Sequence, residues 1–131
     1  MFRWFSKKSA SLSGASAVRR QKTYSAQSGY VYQYFYEGRR PMSPQRGIEY
    51  VFNVSSDRKT SSQVSVFVSD DAMRSWQQES GRTLSATERY AIAKMALFQA
   101  FDERETPDAM RGAVHVAPAD VRTILASLNI D

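Results

Sequence analysis

Between residues 30 and 68, apolar and polar positions alternate with a period of two, which is typical of strands with one buried face. Three segments show this alternation: residues 30–36, 48–54 and 63–68. Glycines and prolines separate the first two segments, and the polar stretch 55–60 separates the second from the third, as a hairpin loop does. We therefore predict a three-stranded antiparallel meander.

The spacing of apolar residues becomes helical after residue 69. Ser69 or Asp70 can cap a short helix that ends near Gly81, and Ser85 and Glu88 form a capping box before a longer apolar run. A third, amphipathic helix follows Pro118. Because its central helix is so apolar, we expect Phe98→Ala to destabilise the protein by about 3 to 5 kcal/mol.

Residues 113–116 are β-prone but short, so they form either a small fourth strand or an extended connector. The predicted order of elements is thus β-β-β-α-α-(β)-α. Consecutive strands followed by helices favour an α+β fold, in which a three-stranded antiparallel meander is covered by two to three helices.

The first 28 residues differ in composition from the rest of the chain. Residues 6–29 are rich in serine and basic residues and contain only Leu12, Val18 and Tyr24 as larger apolar groups, so they cannot repay the entropy of ordering. We predict a flexible arm at residues 1–28 and a single α+β domain at residues 29–131. Deleting the arm is then expected to leave folding almost unchanged.

The net charge of +5 is distributed unevenly, because the first acidic residue is Glu37. Residues 1–46 contain nine Lys and Arg and one acid, which gives +8, so the remaining residues sum to −3. Such segregation orients a molecule toward an anionic partner.

Composition also narrows the possible chemistry. The absence of cysteine excludes disulfides, Cys-type zinc sites and cysteine nucleophiles, and one histidine excludes zinc sites that need two or three. No glycine-rich phosphate loop and no Gly-x-Ser-x-Gly motif is present. We therefore expect no enzyme activity, no cofactor and no metal.

A row of tyrosines followed by arginines is the feature that most suggests a binding surface. Aromatic rings on an exposed sheet face stack on single-stranded bases, while lysine and arginine neutralise phosphates. Alternatively, the row packs beneath the helices, because tyrosine is a good strand former. The candidate nucleic-acid-binding residues are Tyr30, Tyr32, Tyr34, Tyr36, Arg39, Arg40, Arg46, Arg19, Arg20 and Lys22.

A second candidate surface combines large aromatic residues with a lysine pair at the N-terminus. Such a segment can enter the interface of an anionic membrane. Its candidate residues are Phe2, Trp4, Phe5, Lys7 and Lys8. The structural alternative is a disordered or packed terminus.

The expected location is the cytoplasm, because no apolar run reaches the roughly 18 residues that span a bilayer and the N-terminus lacks the core of a secretory signal. An organelle is the alternative if residues 1–28, which are basic and free of acids, act as a transit peptide. The expected function is that of a small binding or regulatory module that contacts a polyanion such as single-stranded nucleic acid through its basic N-terminal third. The alternatives are a protein-protein interaction or adaptor domain and a membrane-peripheral protein. The sequence leaves the oligomeric state open.

Overall fold

The computed structural model describes residues 11–14 and 20–130, and within them a five-stranded sheet packs against three α-helices. The elements are β1 (Lys22–Ser25), β2 (Val31–Pro41), β3 (Gly47–Ser55), β4 (Ser62–Ser69), α1 (Asp70–Ser80), α2 (Ala86–Glu103), a 3₁₀ turn (Pro107–Met110), β5 (Gly112–His115) and α3 (Pro118–Ser127). The strands lie in the order β1-β2-β3-β4-β5. All neighbours are antiparallel except β4 and β5, which are parallel.

The predicted α+β class is confirmed, but a three-stranded meander with one optional strand understates the sheet. Strands β2, β3 and β4 are the predicted meander. Strand β5 corresponds to the optional strand, and it runs parallel to β4 because α1 and α2 carry the chain back across the sheet. Strand β1 has no counterpart in the predicted order of elements, and it lies within residues 1–28, for which composition predicts a flexible arm.

Strand β1 is fixed to the body of the protein through Tyr24 and the turn that follows it. The Tyr24 ring stacks on Phe98 with 4.4 Å between ring centroids, and its hydroxyl donates to Asp102 Oδ2 at 2.8 Å. The Gln27 amide donates to Asp102 Oδ1 at 2.9 Å, and Ser28 Oγ donates to the Phe101 carbonyl at the same distance. Burial, followed by this contact with Asp102, raises the pKa of Tyr24.

The core lies between the sheet and the helices and is rich in aromatic rings. Phe101 of α2 is completely buried, stacks on Tyr32 at 4.2 Å and also contacts Tyr34 at 6.1 Å. The tyrosine row of β2 therefore faces the helices. Its neighbours on β3 and β4, including Phe52 and Val66, are likewise fully buried.

The helix ends agree with the sequence signals. Ser69 Oγ accepts from the Ala72 amide at the start of α1, and Gly81 ends that helix in the left-handed conformation. Ser85 and Glu88 form both hydrogen bonds of the predicted capping box before α2. Among the residues the structure describes, no helix has both the length and the apolar character needed to cross a membrane.

A β-bulge in β2 changes which side chains face the helices. Tyr36 lies opposite Phe52, but the next paired residues are Gly38 with Val51 and then Arg39 with Tyr50. The extra residue therefore places Arg39, rather than Arg40, on the same face as Tyr36. Gly38 has a φ of +130°, and a Cβ there would lie 2.8 Å from the Ser13 carbonyl oxygen, so this position favours glycine.

Candidate anion-binding site

Three tyrosines and two arginines meet where β2 and β3 pack against the beginning of α2. The Tyr36 and Tyr90 rings are 4.8 Å apart, and the Tyr50 ring lies 6.2 Å from Tyr90 and 6.5 Å from Tyr36. The charges of Arg39 and Arg89 act on Tyr50. These five residues, Tyr36, Tyr50, Tyr90, Arg39 and Arg89, are named the cationic tyrosine cluster.

Local structure explains why these side chains converge. The bulge turns Arg39 toward the helices, and two backbone hydrogen bonds of 2.8 and 2.9 Å to Ser13 hold this part of β2. The capping box fixes the start of α2, so that Arg89 and Tyr90 occupy its first two turns. The site thus draws on two strands and one helix.

Two hydrogen-bond donors of the cluster are buried without a partner. Arg89 Nε and the Tyr36 hydroxyl are both inaccessible to solvent, and neither forms a hydrogen bond within the described part of the chain. Burial raises the pKa of Tyr36 and the neighbouring Arg39 acts to lower it, but the Tyr36 hydroxyl has no acceptor for its own proton among the described residues. Because buried polar groups in native proteins are nearly always satisfied by protein, ordered water or a ligand, these two donors mark a place where an acceptor would fit.

The electrostatics of the cluster also favour an anion. Burial raises the pKa of Tyr50 to about 12, against the smaller opposing effect of the two arginines. Burial is also the main cause of the raised pKa of Tyr36 and of Tyr90. All three phenols are therefore neutral donors at physiological pH. The ion pairs found among residues 11–14 and 20–130 involve neither Arg39 nor Arg89.

Lys94 of α2 and Lys22 of β1 extend the positive charge beyond the cluster. Lys94 lies one helical turn beyond Tyr90, and its Nζ is 6.0 Å from the centroid of the half-buried Phe98 ring. Burial and then the charge of Lys22 lower the pKa of Lys94. A strip of cations and aromatic rings thus continues from the cluster toward β1.

The structure does not present the predicted tyrosine row as a stacking platform. Tyr32 and Tyr34 are 1% and 5% exposed, and their rings contact Phe101. Tyr30 is 40% exposed, ahead of the start of β2. Only Tyr36 of the row joins the cluster. The helices cover this face of the sheet. Tyr32 and Tyr34 therefore pack beneath the helices, which is the alternative to base stacking that the sequence left open.

The predicted basic residues fall into different environments. Arg39 belongs to the cluster, and Lys22 lies near Lys94. Arg20 and Arg46 are exposed, and no hydrogen bond or ring contact within the described ranges joins them to the cluster. The positions outside the described residues are Arg19 and the five candidate membrane residues, Phe2, Trp4, Phe5, Lys7 and Lys8.

Four residues of the site were not identified from the sequence. Tyr50, Arg89, Tyr90 and Lys94 lie on β3 and α2, whereas the charge distribution along the sequence predicts anion contacts in the basic N-terminal third. All four lie within residues 47–131, which carry a net charge of −3. A usable signal was the polar pair Arg89-Tyr90 at the start of a helix whose other face is apolar.

Arg40 has a different role, because it lies on the sheet face away from the helices. Its Nε and Nη2 donate to Glu49 Oε1 and Oε2 at 2.9 and 3.1 Å. Ser65 Oγ donates to Glu49 Oε2 at 2.6 Å. The side chains of Arg40 and Glu49 are only 20% and 13% exposed, and the hydrogen bond from Arg40 is the main cause of the lowered pKa of Glu49.

Replacing Glu49 by glutamine should lower the free energy of unfolding by about 1 to 3 kcal/mol at pH 7, because it weakens charge-assisted hydrogen bonds. The folded-state pKa of Glu49 is below its unfolded value, so its contribution is fully present above a pH of about 4.3 and is lost at lower pH. Urea denaturation of both proteins at pH 7 and at a pH below about 4.3 measures how much stability the Glu49 carboxylate contributes at each pH. Glu79→Gln, in an exposed pair with Arg122, is the control and should change little. An equal loss for the two variants at pH 7 would contradict the structural role of Glu49.

Comparison of the chain with protein-family models, with curated proteins and with solved structures gives no significant match. In the described part of the chain, no three His, Asp or Glu side chains are grouped so that they could hold a metal ion.

Proposed function

We propose that this protein is a small non-enzymatic binding module whose cationic tyrosine cluster binds the phosphate groups of a polyanion, with single-stranded nucleic acid as the favoured class. The observation that carries the proposal is the pair of buried, unpartnered donors, Arg89 Nε and the Tyr36 hydroxyl. Each of these groups can donate a hydrogen bond to a phosphate oxygen.

Phosphate is favoured over other acceptors because of the charge of the cluster. Arg39 and Arg89 bring two guanidinium groups without a paired carboxylate in the described residues, and arginine binds phosphate oxygens with strong, charge-assisted hydrogen bonds. Lys22 and Lys94 provide further positive charge beside the cluster. A polyanion that contacts several of these cations releases counterions, which favours binding at low salt.

A single strand is favoured over a duplex because aromatic rings accompany the cations. Tyr36, Tyr90 and Phe98 are half-buried, so part of each ring remains accessible. Unpaired bases can stack on such rings, at about 1 to 3 kcal/mol per base, whereas the bases of a duplex are already stacked on each other. The strip from the cluster to Lys94 offers cations and rings alternately, which suits a flexible strand.

Arg89→Gln should weaken the binding of a single-stranded oligonucleotide by about tenfold, because it removes a charge-assisted hydrogen bond of at least about 1.4 kcal/mol. Fluorescence anisotropy at about 50 and 200 mM salt measures both the affinity and its salt dependence, and the variant should show a smaller salt slope. Arg74→Gln is the matched control, since it removes an equal charge from an exposed ion pair on α1.

Tyr36→Phe tests the same site without changing any charge. It removes a buried hydroxyl that has no partner, so the melting temperature should not fall, while oligonucleotide binding should weaken.

Equal losses of binding for Arg89→Gln and Arg74→Gln would show that only overall charge matters and would exclude the cluster. Anionic vesicles are titrated in parallel, and binding to vesicles alone would favour the membrane alternative. A lack of binding to both at low salt would overturn the proposal and leave a protein partner as the alternative.

A further inference from the structure

A cleft of about 260 Å³ lies at the far end of β2 from the bulge, between the β3-β4 hairpin loop and the 3₁₀ turn. The hairpin contributes a series of serine and threonine residues, including Ser56 and Ser62. Asp108 and Arg111 line the opposite side, and Met110 and Tyr32 form its inner part. This space is named the hairpin cleft.

Tyr32 is the most informative residue of the hairpin cleft. It is 1% exposed, yet its hydroxyl has no hydrogen-bond partner among the described residues. The ring is held by parallel stacking on Phe101, with planes 9° apart, so the hydroxyl has little freedom to find another partner. Burial raises its pKa, and the neutral phenol can either donate or accept. Because Tyr32 lines the cleft, a ligand that enters deeply enough to contact its hydroxyl would satisfy this group.

Both walls of the cleft are held in place by hydrogen bonds that do not involve a ligand. In the hairpin, Asp57 Oδ1 accepts from the amides of Lys59 and Thr60, both at 2.8 Å. On the other wall, the Arg104 guanidinium donates to the carbonyls of Ala109 and Ala113 at 3.0 and 2.9 Å. A preformed site loses less entropy when it binds a ligand.

The lining chemistry points to a small neutral polyhydroxylated molecule. Asp57 and Asp108 oppose the single positive charge of Arg111, so an anion would meet net negative charge. Hydroxyl side chains both donate and accept, as the hydroxyls of a polyol do. The volume is slightly below the range of about 300 to 1,000 Å³ that is usual for drug-sized ligands, which fits a molecule of monosaccharide size.

We propose that the hairpin cleft binds a neutral polyol or monosaccharide through the Tyr32 hydroxyl. This site is separate from the cationic tyrosine cluster, and the proposal does not rest on the proposed binding of a polyanion. Affinity should be weak, with a dissociation constant of about 1 mM, because the ligand is small and most of its polar groups are well hydrated when free.

Saturation-transfer NMR on the full chain, with D-glucose and myo-inositol as the probes, tests this proposal. Both probes should give signals, and a phosphorylated glucose should bind more weakly than glucose. Tyr32→Phe should reduce the affinity about tenfold without lowering the melting temperature, since the ring remains and only an unpartnered hydroxyl is lost. If the Tyr32 hydroxyl had only a structural role, the Tyr32→Phe variant would melt at a lower temperature and its affinity for the probes would not change.

A second variant blocks the cleft from its exposed rim. Ser56→Trp should abolish the signals, whereas Ala126→Trp, on the exposed side of α3, should leave them unchanged. An absence of signal for both probes with the unmodified chain would overturn the proposal. Tighter binding of the phosphorylated sugar would overturn the assigned ligand class, and signals that persist in both cleft variants would place the ligand elsewhere. Oligonucleotide binding should be the same in Tyr32→Phe as in the unmodified chain, which keeps this test distinct from that of the cluster.

Discussion

Replacing Phe101 by alanine should lower the free energy of unfolding by about 3 to 5 kcal/mol. The side chain is completely buried and stacks on Tyr32 at 4.2 Å. It also contacts the rings of Tyr24, Tyr34 and Phe98 at 5.7 to 6.5 Å. Removing it would leave a cavity bordered by rigid rings that cannot collapse into the space, so the loss should lie toward the upper end of this range. Denaturant unfolding followed by circular dichroism measures it.

Phe98→Ala is the matched comparison, because it removes the same ring one helical turn earlier. The sequence predicts a loss of about 3 to 5 kcal/mol for this variant, since Phe98 lies in the middle of the most apolar helix. In the structure Phe98 is only half-buried, at the edge of the core near Lys94, so a loss of about 1 to 2 kcal/mol is expected instead. Equal losses for the two variants would mean that α2 is rotated relative to the sheet.

The parts of the fold that were predicted from the sequence are those with a strong periodic or capping signal. Strands β2, β3 and β4 follow from alternation, and α1, α2 and α3 follow from caps and helical spacing. Strand β1 has only one large apolar residue, Tyr24, so its pairing depends on tertiary contacts that no local pattern shows. Strand β5 is four residues long, too short for alternation to separate a strand from a connector.

The candidate site was less predictable, for two physical reasons. Alternation places the tyrosines on one face, but it does not determine which face the helices cover. Counting by two from Tyr36 also puts Arg40 with the tyrosines, whereas the bulge puts Arg39 there and leaves Arg40 to pair with Glu49. Gly38 is the local signal for that bulge, since a glycine inside a strand often marks one.

Deleting residues 1–28 should destabilise the protein by about 3 kcal/mol, which contrasts with the small effect expected from composition alone. The deletion removes β1, and with it the Tyr24 ring that covers Phe98 and Phe101. Burial of a ring of this size contributes about 1.5 to 3 kcal/mol, and a hydrogen bond to a carboxylate contributes a further 1.5 to 3. The other contacts that the deletion removes lower the stability further, whereas a shorter chain loses less entropy when it folds, and these two effects oppose each other. Calorimetry should show a melting temperature lower by about 10 °C.

Deleting only residues 1–10 separates the strand from the rest of the N-terminal segment. This variant retains β1 and the bridge between Ser13 and Arg39, so its melting temperature should be close to that of the full chain. Tyr24→Phe, which loses only the hydrogen bond to Asp102, should lie between the two deletions. If the longer deletion melted at the temperature of the full chain, β1 would contribute no stability and the flexible arm would cover residues 1–28, as composition alone predicts. The expected order of melting temperatures, with the 1–28 deletion lowest, would instead make the edge strand β1 a structural part of the domain. The reason is that Tyr24, the only tyrosine of β1, covers the aromatic core at the side of the sheet where α2 ends.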